Sequence, residues 1–360
     1  MMHPFGALLT GPSGPRESGG ARRWLHLTVV PLSVLDLVPV GSGSTAAAAL
    51  QTSTALVRRA EELGFRRYWV PEHHGMPGIA SSAPAVLIAH LAAASTTIRV
   101  GSGGVMLPNH QPLVVAEQFG MLDALHPGRI DLGIGRAPGT DQRTARALRR
   151  GTEALGADDF PEALMELASY FRGDGPVVAV PARGQQPALW LLGSSGYSAQ
   201  VAGLLGLPFA FAHHFSGENT LPALELYRET FRPSDVLAQP YSMIATSVLA
   251  AETDAQARRL ALPGALQFLR LRQGDPGLVP TPEEAAAYPY TPQEQLFVDD
   301  RLAGQIIGSP ATVRDGVREL VDATGVDELM VTTSAHSGAD RLRSYEILAA
   351  ALAPSGTMAA

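Results

Sequence analysis

Most residues able to carry chemistry in this chain sit in a few short runs. These are Glu72-His73-His74, Gly103-Gly104 followed by Asn109-His110, Gly135-Arg136, Gly193-Ser194-Ser195, His213-His214, and Ser334 with His336. A histidine beside a carboxylate is suited to moving a proton near neutral pH. Metal binding is disfavoured. Neighbours on an extended segment point to opposite sides, so at most alternate members of Glu72-His73-His74 could share one ion. No His-x-His or His-Glu-x-x-His spacing occurs either. No metal site is therefore expected.

The run Leu192-Gly193-Ser194-Ser195-Gly196-Tyr197-Ser198 joins a strand pattern to a helix pattern. It brings free backbone N–H groups, hydroxyls and the positive end of a helix dipole together, which suits a phosphate. A plain N-cap is an equal reading of the same residues. Arg136, at a neighbouring strand end, could add a bidentate contact, and the pair of features tips the reading towards a phosphate ligand. Gly101-x-Gly103-Gly104 and Gly133-x-Gly135 do not complete a dinucleotide fingerprint and do not open a first βα unit, which disfavours a Rossmann site.

The elements that would position these residues repeat. Short apolar runs alternate with helical-period segments from Trp24 onward, giving eight βα units. Strands are expected at Leu25 to Leu35, Arg67 to Val70, Ile98 to Leu107, Arg129 to Ile134, Ala188 to Leu192, Phe209 to Ala212, Ser242 to Leu249 and Glu328 to Thr333. Eight strands with helical crossovers fit a single (β/α)8 TIM-type barrel over residues 24–360, with insertion loops at its C-terminal face. A doubly wound sheet with a small appended domain is the rival.

In a barrel the runs named above fall at the carboxyl ends of strands, where such folds do their chemistry. Six of the ten histidines (His73, His74, His110, His213, His214, His336) then share one face. Taken singly, each is better read as a hydrogen-bonded loop residue; together they point to a pocket. Two long stretches, about Ala137 to Asp159 and about Gln273 to Ile307, look irregular. The second reads equally as a mobile cover over the mouth and as an ordered insertion packed on the side.

Composition narrows the partners. The 360 residues are 46% hydrophobic and 17% charged, with net charge −7 and no basic run, so neither nucleic acid nor an anionic membrane is an expected partner. The absence of cysteine excludes disulfides, thiolate catalysis and cysteine-ligated metal. Residues 1–23 have no apolar core of a signal peptide and read as a disordered leader, and no apolar run reaches membrane-spanning length, so a cytoplasmic protein is expected.

From Tyr68 to Arg136 the chain resembles the bacterial luciferase-like flavin monooxygenases. The likeness is carried by Trp69-Val70-Pro71-Glu72-His73-His74, by the run from Val100 through Gly103-Gly104 to Pro108, and by the run from Pro127 to Arg136. It extends through Gly193-Ser194-Ser195 and Gly206-Leu207-Pro208. The resemblance implies a barrel, reduced FMN supplied by a separate NAD(P)H:flavin reductase, O2 activated as a flavin C4a-hydroperoxide, and a homodimer.

By the same resemblance His73 is the catalytic base or stabiliser, flanked by Glu72 and His74. Gly103-Gly104 matches a non-proline cis peptide lying against the flavin ring. Arg136, Ser195 and Ser198 match the FMN phosphate contacts, Ser194 stands where some members carry glutamate, and Tyr197 counts with them among the cofactor-binding residues. Gly135 replaces the cysteine of light-emitting members, so light emission is not implied. The expected reaction oxygenates a sizeable apolar substrate, with a polyketide-type intermediate as one candidate. An F420-dependent dehydrogenase and a non-catalytic flavin-binding protein are the alternatives.

Overall fold

The computed structural model describes residues 30–137, 142–148 and 159–353. The expected leader, the first part of the first strand and most of the stretch between residues 137 and 159 lie outside them. In chain order the elements are β1 (Leu32–Leu35), α1 (Ala46–Glu62), β2 (Arg67–Val70), α2 (Pro84–Ala94), β3 (Arg99–Ser102), β4 (Val105–Met106), α3 (Pro112–Leu125) and β5 (Ile130–Gly135). They continue with α4 (Gln142–Leu148), α5 (Phe160–Arg172), β6 (Ala188–Gly193), α6 (Gly196–Leu205), β7 (Phe209–Phe211), α7 (Thr220–Thr230) and β8 (Ser242–Ala250). The last are α8 (Asp254–Arg272), α9 (Pro282–Ala287), α10 (Pro292–Ala303), β9 (Ile306–Gly308), α11 (Pro310–Thr324), β10 (Glu328–Thr332) and α12 (Gly338–Leu352).

Strands β1, β2, β3, β5, β6, β7, β8 and β10 pair in parallel in that order, and β10 pairs with both β8 and β1, which closes the sheet into an eight-stranded barrel. Local sequence dictates the units. Helix α1 starts where the Thr45 side chain accepts from the Ala48 N–H at 3.1 Å, and the chain turns out of it at Gly64, whose φ of 79° suits glycine. Successive strand residues then face opposite ways. Tyr68 and Val70 of β2, Ile130, Leu132 and Ile134 of β5, and Leu329 and Val331 of β10 pack outward against the helices. Trp69, Trp190, Ala210, Met243, Ala245 and Met330 fill the interior.

Below that apolar filling the interior is ionic. Arg67 on β2 reaches Asp131 on β5 at 3.0 Å and Glu328 on β10 at 2.8 Å, neither a neighbouring strand, so the contacts cross the barrel. The Tyr241 hydroxyl donates to Glu328 at 2.8 Å and the Trp69 Nε1–H to Asp131 at 2.9 Å. Burial disfavours the Arg67 charge, but the two carboxylates outweigh it and hold the guanidinium above its ordinary pKa.

Two expectations need correction. The third strand is not continuous from Ile98 to Leu107. It stops at Ser102, passes through a cis peptide between Gly103 and Gly104, and resumes as β4, which pairs on to β5. The stretch from Gln273 to Ile307 is not irregular. Thr281 with Glu284 and Thr291 with Glu294 form capping boxes that start α9 and α10. Ala285, Val298 and Leu302 of these helices pack on Leu266 and Leu269 of α8, so the insertion is an ordered layer at the edge of the mouth. Among the described residues no helix is long and apolar enough to cross a membrane.

Candidate active site

Strand β2 ends in Pro71, and the chain then runs extended through Glu72, His73 and His74, which separates their side chains. Glu72 is fully buried and accepts hydrogen bonds on both oxygens. The Met106 N–H donates at 3.0 Å, Asn109 Nδ2 at 3.2 Å, His74 Nε2 lies at 3.0 Å, and His110 Nε2 lies 2.9 Å from each oxygen. Burial alone would raise its pKa, but the donors, His110 foremost, hold the carboxyl below its ordinary value. Glu72 therefore ties the loop after β2 to the segment after β4. His74 shares this side, away from the cavity that His73 lines.

His73 is anchored through its main chain, where its N–H donates to the Ser81 carbonyl at 2.9 Å. Its side chain lines a cavity of about 210 Å³ together with His214, Phe268 and Arg301. The other walls come from the ends of β1 and β10, from the loop after β2 and from α8, mostly apolar groups such as Leu37, Met76, Ile79 and Leu271. His214 Nδ1 lies 2.9 Å from the Ala245 carbonyl. Burial lowers its pKa to about 4 despite that bond, and the nearby Arg301 charge acts in the same direction. His214 is thus neutral at pH 7, and the bond to Ala245 places its proton on Nδ1.

Across the mouth, the ends of the adjacent strands β5 and β6 carry the expected phosphate residues. The Arg136 guanidinium lies 4.2 Å from the Tyr197 ring centre, so the end of β5 is stacked on the first turn of α6. Ser195 is the N-cap of α6, in extended conformation, and its side chain does not cap the helix. Among the described residues no carboxylate is ion-paired with Arg136. Ser195 is exposed, Ser194 half-buried and Ser198 buried at the third helical position. A cation beside an uncapped helix N-terminus is a donor set that fits the phosphate of FMN.

The glycines form the floor between the two regions. A Cβ at Gly104 would lie 2.8 Å from the Gly133 carbonyl oxygen, and one at Gly103 would lie 2.8 Å from a Leu35 methyl. At Gly135 the Met106 thioether would be 3.0 Å away. At Gly104 the neighbour is backbone that cannot give way, so close packing of the barrel itself favours glycine there, whereas the Leu35 and Met106 ends could shift.

The structure places His73 at the wall of a cavity, while Arg301 and the capture of His110 by Glu72 had no counterpart among the residues singled out from the sequence. Arg301 was read as part of an irregular segment. The capping signature Thr291-Pro292-Gln293-Glu294 would have revealed its helix.

Known proteins resemble this chain along most of its length. A family model described as luciferase-like monooxygenase matches residues 30–328. An uncharacterized Bacillus subtilis protein, YvbT, is 52% identical over 322 residues, covering 88% of this chain and 95% of its own. An Escherichia coli protein named luciferase-like monooxygenase is 46% identical over 321 residues, covering 88% of this chain and 96% of its own. Among solved structures, apo-MsnO8 superposes with a TM-score of 0.83 at 42% identity, covering 91% of this chain and 100% of that one.

Proposed function

Because the chain belongs to the luciferase-like monooxygenase family and is a flavin-dependent monooxygenase, we propose that it binds reduced FMN from a separate NAD(P)H:flavin reductase and transfers one atom of O2 to a sizeable apolar substrate. The observation that carries this reading is the opposition across one mouth of an Arg136–Tyr197–α6 anion site and an apolar cavity lined by His73.

Each residue has a part. Arg136, Ser194, Ser195, Ser198 and the α6 N–H groups hold the phosphate, with Tyr197 keeping the guanidinium in place. Gly103, Gly104 and Gly135 leave room for the ring. Bound reduced flavin supplies the electrons that let O2 yield water and one transferable oxygen atom. His73 holds or moves a proton at its ring nitrogen within the cavity. Glu72 and His74 position the loop that carries it. Leu37, Phe268 and Leu271 keep water out.

A homodimer through α2 and α3 is part of the proposal. It is supported by Val86 (72% exposed), Met121 (54%) and Leu125 (66%), large apolar side chains left on those helices. The cofactor assignment is tested by anaerobic spectral titration with reduced FMN and, in parallel, with reduced F420. Saturable binding of FMN in preference to F420 is expected. Preference for F420, with no oxygen uptake on turnover, would reject it.

A further inference from the structure

Among the described residues Arg301 is the one Asp, Glu, Lys or Arg side chain lining the cavity beside His73, and the chemistry above leaves it unused. It projects from α10, donates from Nη1 to the His214 carbonyl at 2.6 Å, and lies 4.1 Å from the Phe268 ring centre. Its Nε is buried without a partner. The side chain as a whole is half-buried, and among the described residues no carboxylate is paired with it, whereas the buried guanidiniums of Arg67 and Arg341 are paired, the first with Asp131 and Glu328 and the second with Asp36.

Burial pulls the Arg301 pKa below its ordinary value without discharging it at neutral pH. Even partial removal of an ion from water is unfavourable unless an opposite charge offsets it. His214, neutral, offers no such charge. What the cavity lacks is an anion, and its walls leave room for one to arrive with a ligand.

We propose that Arg301 receives the carboxylate of the organic substrate, whose apolar body lies along Met76, Ile79, Phe268 and Leu271 with its reacting end towards His73. The substrate class is therefore an organic acid with an apolar chain or ring. This rests on reading the cavity as the substrate pocket of the monooxygenase proposed above. Gln267, on the same wall, is a second donor for the carboxylate.

The test compares acids with alcohols of the same shape. Octanoate against octanol, and phenylacetate against phenylethanol, are titrated calorimetrically into the full-length protein, first flavin-free and then with FMN. At least one acid should bind about tenfold more tightly than its alcohol, the gain of one charge-assisted contact. Arg301→Met should abolish that preference while leaving alcohol affinity in place, and Arg301→Lys should restore part of it. Loss of packing alone would weaken acid and alcohol alike.

Equal affinity for acid and alcohol in both pairs would overturn the proposal. So would a preference that survives Arg301→Met, or an Arg301→Met variant that loses FMN affinity and keeps the preference. Because the comparison is first made without flavin, failure to bind FMN would reject the proposed function and with it the substrate reading of the cavity, whereas loss of the acid preference alone would reject this inference.

Discussion

Replacing Glu72 by glutamine keeps the side-chain volume and removes the charge. The amide oxygen of Gln can still serve the side that bears His74, Asn109 and His110, but its NH2 group then faces the Met106 N–H, which donates at 3.0 Å in the wild type. One bond to a charged acceptor is lost outright and the rest become neutral ones. With about 1.5–3 kcal/mol for a bond to a charged group and about 1 kcal/mol for a neutral one, the loss sums to at least about 3 kcal/mol. Guanidinium denaturation of wild type and Glu72→Gln at pH 7 measures it.

Acid supplies an internal check. A carboxyl held below its ordinary pKa of 4.5 contributes stability that is fully present above that value and is lost as pH falls through the folded value. The gap between wild type and Glu72→Gln should therefore close below about pH 4.5. A variant within about 0.5 kcal/mol of wild type at pH 7 would refute the reasoning, because that is the range of an inconsequential surface change.

Arg136→Ala should weaken FMN binding about tenfold or more by loss of a charge-assisted contact, read by flavin fluorescence, while the melting temperature without FMN stays unchanged. Arg67→Met leaves Asp131 and Glu328 buried without their shared cation and should cost about 3–5 kcal/mol in chemical denaturation. An unaltered midpoint would show that the layer needs no charge. His214 binds its proton at about pH 4 in the fold against 6.5 as the ordinary value, so between those limits the unfolded chain holds the extra proton and stability rises with pH. In His214→Asn that slope should be shallower by one proton, and an unchanged slope would assign the acid sensitivity elsewhere.

The barrel was legible because each βα unit carries its own signals. Strands buried on both faces read as apolar runs, as at Arg129 to Ile134, and helix ends such as Thr45 and Gly64 mark themselves. The ionic layer was less so. Arg67, Asp131 and Glu328 lie within predicted strands, but only closure of the barrel brings β2, β5 and β10 face to face. The candidate site divides in the same way. His73, Arg136 and the start of α6 follow from local position after a strand, whereas the hold of Glu72 on His110 joins residues 38 apart and that of Arg301 on His214 residues 87 apart. Neither leaves a trace in spacing. The resemblance placed a cis peptide at Gly103-Gly104, where the structure has one, but the pattern alone did not show the break of the third strand there, because glycines continue an extended pattern as readily as they end it.

The central claim is that a His73-lined cavity beside a flavin site transfers an atom of O2. The direct measurement is mass spectrometry of products formed from candidate apolar acids with the protein, FMN, a flavin reductase and heavy-isotope O2. One heavy oxygen atom should appear in the product, and His73→Ala should abolish it while still binding FMN. Product carrying only solvent oxygen, or labelled product undiminished in His73→Ala, would contradict the account.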